Sequence, residues 1–524
     1  MRAELRDSLE FLYTDSQVGR RPRHEMSLDV PRGGIPAVHV LLDGLAEGAA
    51  IRAAAHGNGR PLRGARWFRL VDVPVEKNTG PVGFVEKDGE ENPHVARRAP
   101  FRVFDAMEPV DATVRASAGT VALRLHLPRA TRAGSQQYRV AVESGGDRQE
   151  LALRVTVHGA GLPAVGAASF PYTNWFSLEQ MASRHGLEPW SPGHWRMIRR
   201  YAELMVHGRQ NTFWVPLHCI FTTPDGRPVL DPARLRRLVD LFTAAGMHYI
   251  EGGHVAHRTG GEWQATTFDV AFGKDVRATS AEGNALLASI GQQLRAQIDR
   301  QGWHDRWIQH VTDEPASTNA TDYRILCGMV RRHLPGLPLL DATEDPGMAG
   351  SVDYWCPQAQ EYQRHREAFE AARQAGDRVW FYTCCFPGGP WLNRLLDEEL
   401  LRPCLFGWGA ALFGLDGFLH WGLNHYKSFQ DPFQQSVVDH GGHNELPAGD
   451  THIVYPGRGG PWSSLRLEAQ REGIEDYELL KELKLRDPRR AGQILRRVIR
   501  GFDDYTRSAA VVRQARRALL EALG

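Results

Sequence analysis

Two adjacent acids, Asp313 and Glu314, stand where an apolar-aromatic run, Trp307-Ile308-Gln309-His310, gives way through Val311 and Thr312 to Pro315. The run reads as a buried strand, and Pro315 ends its pairing because proline has no N–H to donate. Side chains at the end of a buried strand contribute little to packing. Carboxylates there are in place to move protons to and from a bound molecule. A second doublet, Asp397-Glu398, is expected on a helix surface. A doublet by itself therefore carries no function, and its surroundings decide.

Those surroundings alternate. From Val165 on, apolar runs are expected as strands at Val165–Trp175, Asn211–Leu217, His248–Val255, Trp307–Val311, Leu337–Ala342, Asp353–Pro357, Val379–Cys384 and Gly417–Leu423. Helical periodicity fills most of the gaps, at Pro192–His207, Asp231–Ala245, Ser280–Gln301, Ala320–His333, Tyr362–Ala375 and Leu392–Arg402. Strand and helix alternating about eight times is the pattern of a (β/α)8 barrel. A doubly wound open sheet would carry a glycine-rich phosphate turn after its first strand, and none is present.

The text before Val165 is different. Residues 37–42, 66–70, 121–127 and 151–157 alternate with period two or form short β-rich runs, with turn residues between them. The solution for such text is an antiparallel β-sandwich. The expected organisation is a peripheral segment over 1–25, a sandwich over 26–162, a barrel over 163–485 and a C-terminal helical extension over 486–524. The polar stretch Val73–Asn92 is long for a sandwich loop. It reads either as an arm toward the barrel's active site or as a solvated insertion. Leu465–Leu485 reads as an amphipathic helix, and the arginines 489, 490, 496, 497 and 500 as a solvated face.

Bulk composition narrows the function classes. The chain has 524 residues, 63 basic and 62 acidic, for a net charge of +1. No basic excess marks a nucleic-acid or membrane-surface partner. The N-terminus has charges where a signal peptide needs an apolar core, and no run approaches the ~20 apolar residues of a membrane span. The six cysteines show no CxxC spacing. A reduced, cytoplasmic protein is expected. Its partner is expected to be a small oligosaccharide or glycoside; a homo-oligomeric state is left open.

In a (β/α)8 barrel the site lies at the C-terminal ends of the strands. The expected strands deliver Asn174 and Trp175, Trp214 and His218, Glu251 and His254, Asp313 and Glu314, Asp341 and Glu344, Cys356 and Gln358, Tyr382 and Cys384, and Trp421 and Asn424. Carboxylates, amides and aromatic faces at one mouth suit a carbohydrate. Each has an ordinary reading too: His254 as a loop histidine, Trp214 and Trp421 as core, Cys356 and Cys384 as small buried hydrophobes. Adjacent cysteines rarely ligate one ion together, so Cys384 and Cys385 do not suggest zinc. No cofactor and no metal are expected.

The segment His310-Val311-Thr312-Asp313-Glu314-Pro315 resembles the catalytic signature of glycoside hydrolase family 123, the β-N-acetylgalactosaminidases. Trp380–Cys384 with Pro390 and Asn393, Gly407-Trp408, Gly417–Trp421, Val454–Gly457 and Arg466–Glu478 fit the same group in the same order. The resemblance covers about residues 165–485. It implies an exo-acting β-N-acetylhexosaminidase in which the substrate's 2-acetamido oxygen attacks the anomeric carbon. Asp313 would orient the acetamide, and Glu314 would protonate the leaving oxygen and then deprotonate water. Substrate binding is expected from Asn174, Trp214, His218, Glu251, His254, Glu344, Tyr382, Asn393, Trp421 and Asn424.

Two alternatives stand beside this. A non-acetamido sugar would need a second, separated carboxylate, for which Glu251, Asp341 and Glu344 are the candidates. A catalytically inactive carbohydrate-binding barrel would keep the fold without the chemistry.

Overall fold

Val38, Val40 and Leu42 enter one apolar core together with Leu123, Leu125, Leu151, Leu153 and Val155, as alternating residues on two facing sheets must. The computed structural model describes residues 1–111, 113–116 and 119–524. One sheet runs in the order Arg2–Arg6, Ala37–Leu45, Gly119–His126, Arg66–Val75, Phe101–Val110 and Ser463–Ser464. The other runs Glu25–Arg32, Asp147–Gly161, Gly134–Ser144, Ala50–Gly57 and Arg60–Pro61. Pairing is antiparallel except between Glu25–Arg32 and Asp147–Gly161. The expectation of a peripheral N-terminus fails. Arg2–Arg6 pairs with Ala37–Leu45, and Leu5, Leu9 and Leu12 are buried; three core leucines were masked by the arginines around them.

The chain forms two compact units interleaved in sequence: Met1–Ala164 with Cys385–Phe413 and Asn424–Gly524, and Val165–Cys384 with Gly414–Leu423. The second unit holds a parallel barrel sheet. Its strands are β1 (Tyr172–Asn174), β2 (Thr212–Val215), β3 (Tyr249–Gly252), β4 (Trp307–His310), β5 (Leu339–Asp341), β6 (Tyr354–Trp355), β7 (Arg378–Tyr382) and β8 (Gly417–His420). The ladder runs from β2 through β3 to β8 and on to β1. Each expected strand is found and is shorter than expected, although β7 starts one residue earlier, at Arg378. The strands are almost wholly buried, which explains why they read as continuous apolar runs rather than alternating ones.

Between β1 and β2 amide side chains bridge the edges. Asn211 Oδ1 accepts from the Tyr172 backbone N–H at 3.0 Å, and Gln210 Nε2 donates to the carbonyls of Asn174 at 3.2 Å and Thr212 at 2.9 Å. These side chains satisfy backbone groups that a strand ladder would otherwise pair.

The helices start and stop where local chemistry directs. Besides the four-residue helix Leu217–Ile220, those of the barrel unit are α1 (Leu178–Ser183), α2 (Pro192–His207), α3 (Pro232–Ala245), α4 (Ala281–Gln301), α5 (Ala320–His333), α6 (Ala359–Arg364) and α7 (Arg366–Gln374). Ser191, Asp231 and Ser280 cap α2, α3 and α4 by accepting from backbone N–H groups, and Pro192 and Pro232 open the first two. Among the described residues, no helix is long and apolar enough to cross a membrane.

In the other unit, the expected helix Leu392–Arg402 is absent; α8 begins at Leu401 and runs to Phe413. Pro403 explains the shift. It fits the first turn, where its missing N–H has no partner to lose, and would interrupt a helix started at 392. Asp397 and Glu398 are therefore buried in a loop, not on a helix surface. Asp397 accepts from Thr79 N at 2.7 Å, Thr79 Oγ1 at 2.8 Å and Asn78 Nδ2 at 3.1 Å, and Glu398 pairs with Arg402 at 2.9 Å. The Val73–Asn92 stretch is thus an ordered arm of its unit. Phe84, at φ 51°, packs edge-on against Phe386.

The helix α9 (Leu465–Arg486) is buried on nearly every side, charges included, so the amphipathic expectation is corrected. Arg466 pairs with Asp105 at 3.0 Å, Arg471 with Glu475 at 2.5 Å, and Arg516 with Glu472 at 2.9 Å. Gly473 lies against Gly407 of α8 so tightly that any Cβ on either would strike backbone. The arginines 489, 490, 496, 497 and 500 are exposed, as expected.

Candidate active site

Strand β4 ends at His310, and the acid pair follows three residues later. An extended chain would point successive side chains to opposite faces. Here Glu314 has φ 48°, in the left-handed region that a non-glycine residue enters only when its surroundings hold it there. Two contacts hold this turn. Arg258 Nη2 donates to the Glu314 carbonyl, and Thr343 Oγ1 donates to the Pro315 carbonyl at 3.0 Å. Arg258 is itself buried, with its guanidinium 3.8 Å from the centre of the exposed Trp263 ring.

Beneath the pair, His310 lies between two carboxylates, with Nδ1 3.0 Å from Glu251 Oε1 and Nε2 3.3 Å from Asp341 Oδ1. Burial alone would make the imidazole less basic, but Asp341 and then Glu251 outweigh it and raise His310 to about 9. Both carboxylates are fixed further. Glu251 Oε1 accepts from Trp175 Nε1 at 2.8 Å. Asp341 Oδ2 accepts from Thr312 N at 3.0 Å, Thr312 Oγ1 at 3.1 Å and Tyr323 OH at 2.8 Å. Trp175 stacks on Trp214 at 4.8 Å, and His254 sets its ring edge-on to both and 4.5 Å from His310. Burial, reinforced by the His310 charge, keeps His254 well below its ordinary value and so neutral.

The two acids have different environments. Asp313 reaches solvent, while Glu314 is half-buried. Burial and then the Asp313 charge push Glu314 up to about 8, against the opposing hydrogen bond from Tyr382 OH to its Oε1. The surrounding protein raises Asp313 too, an effect that its exposure limits and that the His310 cation opposes. Asp313 therefore ionises first, and its charge is one reason Glu314 does not. Tyr382 also takes a hydrogen bond from Gln358 Nε2 at 3.0 Å and bonds to Glu344. Glu344 is half-buried, and burial with the Glu361 charge raises it to about 7.

The expected site residues thus divide. Asp313, Glu314, Glu344 and Tyr382 form one group, and Glu251, His254 and Trp214 gather round His310. Glu251 is committed to Trp175 and His310 rather than presented to a ligand. Asn174 is buried, its amide bonded to Tyr172 OH and to Gln210 Oε1 at 3.3 Å, so it belongs to the barrel interior. Trp421 is half-buried just past β8. His218 is exposed beside Glu179 rather than with the acids. Asn393 and Asn424 are buried in the other unit; Asn393 donates to the Pro387 carbonyl at 3.0 Å, and Asn424 pairs across to His452. Arg258, Trp263 and Tyr323 were missed, since an arginine ending the short strand Ala256–Arg258 and a tyrosine on a helix make no pattern until the chain folds.

A parallel barrel with a raised glutamic acid beside an aspartate, just past its fourth strand, is an arrangement suited to glycoside hydrolysis. The comparisons place this one more narrowly. The model of the glycoside hydrolase 123 catalytic domain matches residues 222–483, and the chain belongs to glycoside hydrolase family 123. A family 123 glycoside hydrolase from Clostridium perfringens, described for glycolipid glycan hydrolysis, has a similar structure. The TM-score is 0.76 at 12% identity, over 100% of this chain and 98% of that one. The β-D-glucuronidase of Dictyoglomus thermophilum aligns at a TM-score of 0.37 and 10% identity, over 90% of this chain and 97% of its own. No curated protein matches the sequence.

Proposed function

We propose that this enzyme removes terminal β-linked N-acetylhexosamine, with the substrate's acetamido group as nucleophile. The observation that carries the reading is the unequal acid pair. Glu314, raised to about 8, holds a proton at neutral pH, and Asp313 is the acid that ionises first. Glu314 protonates the glycosidic oxygen as the acetamido oxygen closes on the anomeric carbon and the aglycone leaves. Asp313 orients the acetamide and offsets the positive charge of the oxazolinium-like intermediate. Glu314, now ionised, takes a proton from water, which opens the ring with net retention. Trp214, His254 and Trp421 are assigned to the sugar's apolar and hydroxyl faces. The Clostridium perfringens relative is described as acting on glycolipid glycans, which supports a terminal sugar of a glycan as the substrate. A reducing, cytoplasmic setting agrees with six buried cysteines, all free.

A second reading has one observation behind it. Of the three other acids at the mouth, Glu251 and Asp341 are committed to His310. Glu344 alone is half-open and reaches the same tyrosine hydroxyl as Glu314. A non-acetamido glycosidase would therefore pair Glu314 with Glu344. Its nucleophile would have to be ionised, and a carboxyl raised to about 7 is largely protonated in mild acid. Aryl β-N-acetylgalactosaminide, β-N-acetylglucosaminide and β-galactoside substrates separate the two. Turnover of acetamido sugars alone, blocked by a thiazoline mimic of the intermediate, supports the first; turnover confined to the galactoside sinks it.

A further inference from the structure

We propose that Glu179, His218 and Cys219 form a binding site for one divalent metal ion of borderline softness, Zn²⁺ foremost. The three come from two loops of the barrel unit. Glu179 lies in α1, after β1, and His218 and Cys219 lie in the short helix Leu217–Ile220, after β2. One carboxylate oxygen serves as the meeting point: Glu179 Oε1 is 3.3 Å from His218 Nε2 and 3.1 Å from Cys219 Sγ. All three donor atoms lie within 4.8 Å of one another. Zinc bonds of about 2.0–2.3 Å at tetrahedral angles place neighbouring donors about 3.3–3.6 Å apart, so the two edges at Glu179 need shifts of only tenths of an ångström, and the edge between His218 and Cys219 lies within 4.8 Å. Oxygen, imidazole and thiolate together are the donors zinc prefers over magnesium or calcium.

The surroundings supply what a metal site needs beyond its ligands. Ser177 Oγ donates to the other Glu179 oxygen, Oε2, at 3.0 Å, turning Oε1 toward the histidine and the thiol. Arg234 Nη1 donates to the Cys219 carbonyl at 2.9 Å and fixes the backbone that carries the thiol. Cys219 is buried, whereas Glu179 and His218 are exposed, which gives an ion an entry path. Binding exchanges the thiol proton, released to solvent, for a metal–sulfur bond; water completes a fourth position. Sequence patterns do not show this site, because its ligands are two neighbours and a third residue some forty positions earlier.

The test uses the full chain, stripped with chelator and then titrated with Zn²⁺ by calorimetry and with Co²⁺ by absorbance. One ion per chain is expected, with the near-ultraviolet charge-transfer band of a thiolate–cobalt bond. Cys219→Ser should abolish the band, and Glu179→Gln or His218→Ala should each weaken binding at least about tenfold. The last two positions are on the surface, so they decide the matter even if the buried serine impairs folding. No saturable uptake would overturn the proposal. So would uptake that lacks the thiolate band and is unchanged in the two surface variants.

Discussion

His310 Nδ1 lies 3.0 Å from Glu251 Oε1, both fully buried, and the ring's other nitrogen faces Asp341. One cation thus compensates two buried anions directly under the acid pair. Removing it leaves both carboxylates uncompensated, which costs about 3–5 kcal/mol in a buried site. His310→Gln should lower the urea-unfolding free energy by that order at pH 6. The folded-state pKa of His310 is raised, to about 9 from 6.5. Its contribution is therefore complete below pH 6.5 and is lost as pH rises through 9. The gap between wild type and variant should close over that window; a gap independent of pH would contradict the ion-pair account.

Glu314→Gln removes the carboxyl that accepts from Tyr382 and is proposed as the general acid. Loss of a general acid costs about 10²–10⁴ in rate. The loss should be largest for alkyl and sugar leaving groups and small for activated aryl ones. The wild-type kcat/KM profile should fall on its alkaline side near pH 8, the value to which Glu314 is raised. Equal losses across leaving groups would remove Glu314 from proton donation.

Asp313→Asn tests the coupling between the acids. The Asp313 charge is the second-largest cause of the raised Glu314 value. Without it, the alkaline limb of the residual activity should move to lower pH. The rate should fall most for acetamido substrates, whose nucleophile Asp313 is proposed to orient. A limb that stays near pH 8 would mean burial alone sets Glu314.

Tyr382→Phe works in the opposite direction. The tyrosine hydroxyl bonds to Glu314 and to Glu344 and lowers both. Its removal should shift the alkaline limb upward and slow the second step, in which Glu314 must be ionised. Burst kinetics with an aryl substrate would show the change as build-up of released aryl alcohol ahead of steady state.

The barrel was legible because its strands are buried on both faces and leave uninterrupted apolar runs between amphipathic helices. Trp307–His310 and Gly417–His420 are fully buried. Leu392–Arg402 misled for the reason that makes periodicity weak in short windows: its leucines face a core from a loop. At the site, Asp313 and Glu314 stood out by type and position. The role of Glu251 did not, because its partners Trp175 and His310 are 76 and 59 residues away. Asn393 looked like a ligand-facing amide but caps the turn at Pro387. Such pairings exist only once the backbone has closed.

The buried ion network of α9 has a practical consequence. Arg466, Glu468, Arg471, Glu472, Glu475 and Asp476 are all hidden and paired inside their own unit. That stretch is among the sequence features that resemble family 123, and it belongs to a different unit from the one that carries Asp313 and Glu314. For protein engineers the same separation is an opportunity: the framework can be left alone while the loops after β4, β5 and β7 are rewritten for a different sugar.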